Sequence, residues 1–164
     1  AYRDRLTGAL SRHGFTEALD ARLAAGSAHP ASLVVMVDVK NMRELNEIHG
    51  YAAGDRVLTS LYERLRRALG PEAPIGRVGG DEFVMAVPVD HTRMPRAARE
   101  AIAAVFAEPF DVDGLSMTMA GRFGYTRLGR KPRGAETMIR EAEIALSQGR
   151  ARHDFGWHLR VLQS

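Results

Sequence analysis

Cysteine is absent from the 164 residues, which excludes disulfides and any thiolate metal site. A reducing compartment is compatible with that absence and is not required by it. No apolar run approaches the roughly 18 residues a membrane span needs, and no signal-peptide pattern opens the chain. Lysine is almost missing. Of 23 basic residues only Lys40 and Lys131 are lysines, so the net charge of +3 is carried by arginine. Aromatic residues are few and do not interleave with the basic ones, so a stacking platform for nucleic acid is lacking. Runs such as Arg64-Arg66-Arg67 and Arg96-Arg99-Glu100 read as a solvated, salt-bridged helix surface. Neither nucleic acid nor membrane is expected as a partner of this domain.

What is present is an ordinary globular composition, 45% hydrophobic and 26% charged. Residues 1–164 suit a single domain with one core. The chain begins Ala1-Tyr2 and not with Met, so it is expected to be a piece of a longer protein. Leu6 to Leu10 reads as an opening loop turning at Thr7-Gly8. Ser11 is a candidate N-cap for a helix that carries Phe15, Leu19 and Leu23 inward and ends at Gly26; Ala28-His29-Pro30 connects onward. Leu33 to Val37 is a continuous apolar run, as in a central strand buried on both faces, and stops at Asp38. A short helix is expected around Met42 to Ile48. An amphipathic helix follows from about Asp55 to Leu69, with Val57, Leu58, Leu61, Leu65 and Leu69 on one stripe, and Gly70-Pro71 breaks it. Ile75 to Val87 reads as a hairpin around Gly79-Gly80. Pro95 to Ala107 is helical, Leu115 to Leu128 strand-rich, Ala135 to about Arg152 helical, and Phe155 to Leu162 alternates like a closing strand. A hairpin mixed with crossover helices indicates an α/β or α+β sandwich around one sheet.

Two acidic places carry chemistry: Asp38 at the end of a buried strand, and Asp81-Glu82 after the hairpin glycines. Carboxylates at a strand end and a hairpin tip can converge above one sheet edge and suit Mg²⁺, a hard ion that completes its shell with phosphate and water. The glycines would permit positive φ and let a ligand approach the backbone. Taken alone, Asp38 reads more simply as a cap or turn residue and the glycines as an ordinary hairpin. The string Gly79-Gly80-Asp81-Glu82-Phe83 is more specific, with a chance frequency on the order of 10⁻⁴ in a chain this long.

That string resembles the signature of the GGDEF family of diguanylate cyclases. Further residues in the same order strengthen the likeness: Asp4-x-Leu6-Thr7-Gly8 with Arg12 and Phe15; Asp38 to Asp55 with Asn46, Gly50 and Gly54; and Ala142-Glu143-Ile144-Ala145-Leu146. The resemblance implies a palm-like central β-sheet flanked by helices, nucleotidyl cyclase-like, working in bacterial signalling and biofilm regulation. It implies one GTP per domain and a homodimer for catalysis, giving cyclic di-GMP and pyrophosphate. Asp38, Asp81 and the carbonyl of Val39 would ligate Mg²⁺ or Mn²⁺. Asp81 or Glu82 would help deprotonate the attacking hydroxyl. Asn46 and Asp55 would read guanine, while Arg43, Arg77 and Arg150 would hold the nucleotide's phosphates or line its site. Helix capping for Asn46 and Asp55, and plain surface roles for Arg43, Arg150 and Glu82, are the alternatives. A cytoplasmic location is expected, free or as part of a membrane-anchored protein, beside a sensor or EAL-type domain. Glu108 to Gly114 resembles the GGDEF half of such GGDEF–EAL proteins.

Several positions depart from the family pattern. A second Asp is replaced by Lys40, which strand alternation would put on Asp38's side, where a cation opposes a metal. Met42-Arg43, Gly50-Tyr51, Arg122-Phe123-Gly124 and Ser147-Gln148-Gly149-Arg150 also differ from the family's Phe-Lys, Gly-His, Ser-Ile-Gly and Tyr-x-Ala-Lys. The family's product-binding Arg-x-x-Asp motif falls on Gly70 and Ala73, which can supply neither group. These departures leave two readings open: an active cyclase, or a domain that binds GTP without turnover and regulates a neighbour.

Overall fold

Strand β1 (Ala31–Val39) is apolar at nearly every position because it has a neighbour on each side and helices on both faces. The computed structural model describes residues 2–25, 31–88, 96–127, 133–151 and 157–160. Within them β1 pairs antiparallel with β3 (Glu82–Pro88) and with β6 (Gly121–Arg127). Strand β2 (Ile75–Gly79) lies outside β3, and β7 (Trp157–Arg160) runs parallel to β6, giving the order β2-β3-β1-β6-β7. Leu33, Val35 and Val37 of β1, with Phe83 and Met85 of β3, face a core covered by α2 (Met42–His49), α3 (Tyr51–Leu69) and α4 (Arg96–Ala104). Val34, Met36, Val84 and Ala86 face the other way, under α1 (Arg12–Ala24) and α5 (Ala135–Ala151). This is the expected sandwich, a helix-flanked mixed sheet.

Most expected elements are present, with shifted ends. Ser11 caps α1, its hydroxyl accepting from Gly14 N at 3.1 Å. The helix ends at Ala24; Gly26 and the connector at 28–30 lie outside the described residues. Strand β1 runs one residue past Asp38, to Val39, where β6 still offers a partner in Gly121. Helix α3 begins at Tyr51, a full turn before Asp55, because Gly50 at φ +88° lets α2 pass into α3 with one intervening residue. Helix α4 is shorter than expected and gives way to turns at Val105–Ala107. Pro95, Leu128 and residues 155, 156, 161 and 162 lie outside the described residues.

One strand was not expected, Phe110–Val112, and it pairs with the opening residues of the stretch expected to be strand-rich. Phe110–Val112 (β4) and Leu115–Met117 (β5) form a separate two-stranded ribbon. Its turn is Asp113-Gly114, both at positive φ (53° and 82°), the geometry of a type I′ hairpin. The Asp-Gly pair between alternating apolar residues was the available signal.

Candidate active site

Antiparallel register puts three ionisable residues side by side at the end of the sheet. Asp38 lies opposite Glu82 of β3 on one side and opposite Arg122 of β6 on the other, and directly paired residues share a face. Asp38 is 2% exposed. Arg122 Nη1 stands 3.9 Å from Asp38 Oδ2. The β2–β3 turn then carries Asp81 over to the end of β1, where Val39 N donates to Asp81 O at 3.2 Å. An acid cleft of about 460 Å³ results, with Asp38, Val39, Asp81, Glu82, Arg43 and Arg122 among its lining residues.

Of the two properties expected of the hairpin glycines, positive φ is absent and room for a ligand is found at Gly80. Neither Gly79 nor Gly80 has positive φ. A Cβ on Gly79 would lie 2.7 Å from Glu82 Oε1, so this glycine makes room for that carboxylate, whereas Gly80 faces open space where a ligand can approach. Arg77 steadies the turn. Its Nη2 donates to Gly80 O at 2.7 Å, and its Nη1 lies 3.2 Å from both oxygens of Asp4. Burial pushes the Asp4 carboxyl up, but hydrogen bonds from Thr7 and the Arg77 guanidinium outweigh it and hold it below its ordinary value. Arg77 lines the neighbouring cleft, yet its guanidinium is engaged by the protein, so its first role is to hold the turn.

A second cleft of about 630 Å³ opens between α2, α3 and the hairpin turn. Asn46, Tyr51, Asp55, Arg77 and Gly80 are among the residues lining it, and Met42, Arg43 and Asp81 line both clefts. The capping alternatives fail here. Asn46 is inside α2 and Asp55 is in the second turn of α3, so neither is an N-cap. A Cβ on Gly54 would collide with Asn46 Oδ1, so glycine is what allows the carboxamide to tuck against α3. Asn46 Oδ1 is buried and lacks a hydrogen-bond partner among the described residues. Arg43 is largely exposed and paired with Glu47 at 3.3 Å.

Strand alternation does not extend to Lys40. The strand has ended: Lys40 N bonds to Ala120 O at 2.8 Å, Asn41 takes a left-handed conformation at φ 62°, and Lys40 is not among the residues lining either cleft. Arg122 is the cation that faces Asp38, a role the sequence reading did not give it. Arg150 lies on α5, with its side chain outside the described residues. The donor set fits Mg²⁺ or Mn²⁺ chemically: two carboxylates, Asp38 and Asp81, with Val39 beside them, all hard oxygen donors. Among the described residues no three His, Cys, Asp or Glu groups form a complete cage. An ion here would therefore draw its remaining ligands from water and substrate phosphate, as Mg²⁺ commonly does.

A helix-flanked, mostly antiparallel sheet with paired clefts at its hairpin end defines a nucleotidyl cyclase-like domain. Residues 1–154 match the family model for the diguanylate cyclase, GGDEF domain, and the chain belongs to the GGDEF family. An uncharacterized 19.3 kDa protein of Streptomyces ambofaciens is 32% identical over 155 residues, 93% of this chain and 81% of that protein. The diguanylate cyclase DgcN of Escherichia coli is 32% identical over 127 residues, 76% of this chain but only 31% of DgcN. The chain thus spans under a third of that cyclase. Among solved structures, the GGDEF domain of PA1120 (TpbB or YfiN) from Pseudomonas aeruginosa superposes with a TM-score of 0.86, covering 96% of this chain and 94% of that one, at 24% identity. At that identity the likeness speaks for the fold alone.

Proposed function

We propose that this domain binds GTP with a divalent cation and, as a dimer of domains, condenses two GTP into one cyclic di-GMP and two pyrophosphates. The observation that carries the reading is the continuity of the two clefts: Arg43 and Asp81 line both, so a nucleotide can place its base by Asn46 and Asp55 and its phosphates by the acid row. Asp55 would accept from N1–H and the N2 amine of guanine, a donor pair adenine does not present. The buried Asn46 oxygen, without a partner among the described residues, fits a group reserved for a ligand. Arg43 would hold phosphate, and Arg150 would do so from α5. Each 3′-hydroxyl attacks the α-phosphorus of the facing GTP. The new P–O bond forms as the bond to pyrophosphate breaks, and the hydroxyl proton passes to Asp81 or Glu82. A bound Mg²⁺ or Mn²⁺ would neutralise phosphate charge.

The pairing of Asp38 with Arg122 favours a second reading, in which the domain takes up GTP without turnover and regulates a neighbouring sensor or EAL-type domain. One experiment separates them: dimeric protein is incubated with GTP and Mg²⁺, cyclic di-GMP is measured, and the melting temperature is followed in parallel. Product supports the cyclase. A GTP-dependent rise in Tm without product supports the regulatory domain. Neither response would sink both.

A further inference from the structure

We propose that Arg122 is a resident cation set against the divalent-metal position, holding Asp38 from the β6 side and weakening metal binding there until nucleotide phosphate arrives. The inference rests on the reading that Asp38 and Asp81 hold the ion. It comes from the register of the sheet. Arg122 is the direct cross-strand neighbour of Asp38, its Nη1 is 3.9 Å from Asp38 Oδ2, and the two side chains are only 17% and 3% exposed. Arg122 also lines the acid cleft together with Asp81 and Glu82.

A guanidinium remains protonated at any physiological pH. It therefore cannot step aside by losing its proton, as a lysine can when a metal approaches. The β6 strand also fixes where its side chain starts, so moving away means swinging out of a mostly buried position. A metal ion entering the nucleotide-free cleft must share Asp38 with a fixed positive charge. A cation fixed about 4 Å from a carboxylate repels a second cation that approaches the same group, and does so more strongly in a partly buried site than in bulk water. A divalent ion meets twice the repulsion of a monovalent one. A triphosphate brings several negative charges into the cleft, which offset Arg122 and make the ion and the nucleotide enter together. Arg43, which lines both clefts but is exposed and paired with Glu47, lacks this placement.

The test is direct Mn²⁺ binding to nucleotide-free protein, read by the electron paramagnetic resonance signal of free Mn²⁺. Wild type, Arg122→Ser, Arg122→Gln and Asp38→Ala are compared, with circular dichroism to check folding; the Gln variant removes the charge but keeps a bulkier polar side chain than Ser, should Ser unfold the strand. Both Arg122 variants are expected to bind Mn²⁺ about tenfold more tightly than wild type or better. Equal or weaker affinity in a folded Arg122 variant overturns the inference while leaving the metal site intact, provided Asp38→Ala abolishes binding. Binding that survives Asp38→Ala, or no binding by any protein, removes the metal site and the inference with it.

Discussion

At the scale of single residues, arginines that look alike in the sequence do different work. Arg64 and Arg66 sit in a run that reads as a solvated surface, yet both are committed to backbone carbonyls. Arg64 donates to Val105 O, Glu108 O and Pro109 O and lies 3.9 Å over the Phe110 ring. Arg66 donates to Gly70 O at 3.0 Å and Ala73 O at 2.6 Å, closing the turn after α3. Arg67 is exposed. Arg64→Ala is expected to destabilise the fold by about 2 kcal/mol, because it strands carbonyls that accept from a charged donor. Arg67→Ala should change stability by less than about 0.5 kcal/mol. Urea unfolding midpoints of the two variants check the contrast. Asp55 is the residue to test for base choice. Asp55→Ala should weaken GTP binding by about 2–4 kcal/mol and leave ATP binding nearly unchanged. Equal affinity of the wild type for GTP and ATP in calorimetry would remove Asp55 and Asn46 from the guanine assignment.

Elements in this fold are held at fixed distances by what their glycines leave out. Gly124 lies under α5, and a Cβ there would stand 2.6 Å from Ala142 O and press on the backbone nitrogen of Leu146. Neither neighbour is a flexible side-chain tip, so α5 must move. Gly124→Ala should therefore cost roughly 2–3 kcal/mol. Gly80→Ala, with open space and no positive φ, should be close to neutral in stability. Thermal melts of the pair give the comparison. The opening loop is tied to the hairpin in a second way, through Asp4 and Arg77. Because the Asp4 pKa is lowered in the folded state, its contribution is present in full above the unfolded-state value. It is lost as pH falls through the folded-state value. The stability difference between wild type and Asp4→Asn should be largest near neutral pH and shrink below about pH 4. A difference that stays constant from pH 7 to pH 3 would show that the Asp4 charge contributes nothing.

For the molecule as a whole, product feedback is where this chain should part from the family pattern. Gly70 and Ala73 occupy the positions where the family's product-binding Arg-x-x-Asp motif would fall. The arginine that lies near, Arg66, is already spent on Gly70 O and Ala73 O. Arg66 therefore cannot swing out to grip guanine or phosphate without opening the turn. Cyclic di-GMP titrated into protein whose active site is filled with a non-hydrolysable GTP analogue should show no submicromolar binding. Tight binding that disappears in Arg66→Ala or Arg67→Ala would mean that a shifted product site survives.

Much of this was legible in the sequence because it depends on local pattern. The apolar run of β1, the stripe of α3, the Ser11 cap and the hairpin signature all follow from neighbours in the chain, and they are enough for the family and the sandwich. The Asp113-Gly114 turn of the ribbon is a local signal of the same kind. Helix ends were less so: Asp55 looks like a cap until Gly50 is seen to let α2 run almost directly into α3. What tertiary structure alone decided is which side chains meet across strands far apart in sequence. Alternation along β1 points to Lys40 as the cation on Asp38's side, but the strand ends at Val39, one residue before it. Arg122, 84 positions away from Asp38 by its number, faces Asp38 because antiparallel register sets residues of β6 directly opposite β1. Alternation is a property of one strand and can be read along it, whereas register is a relation between two strands fixed by packing of both faces.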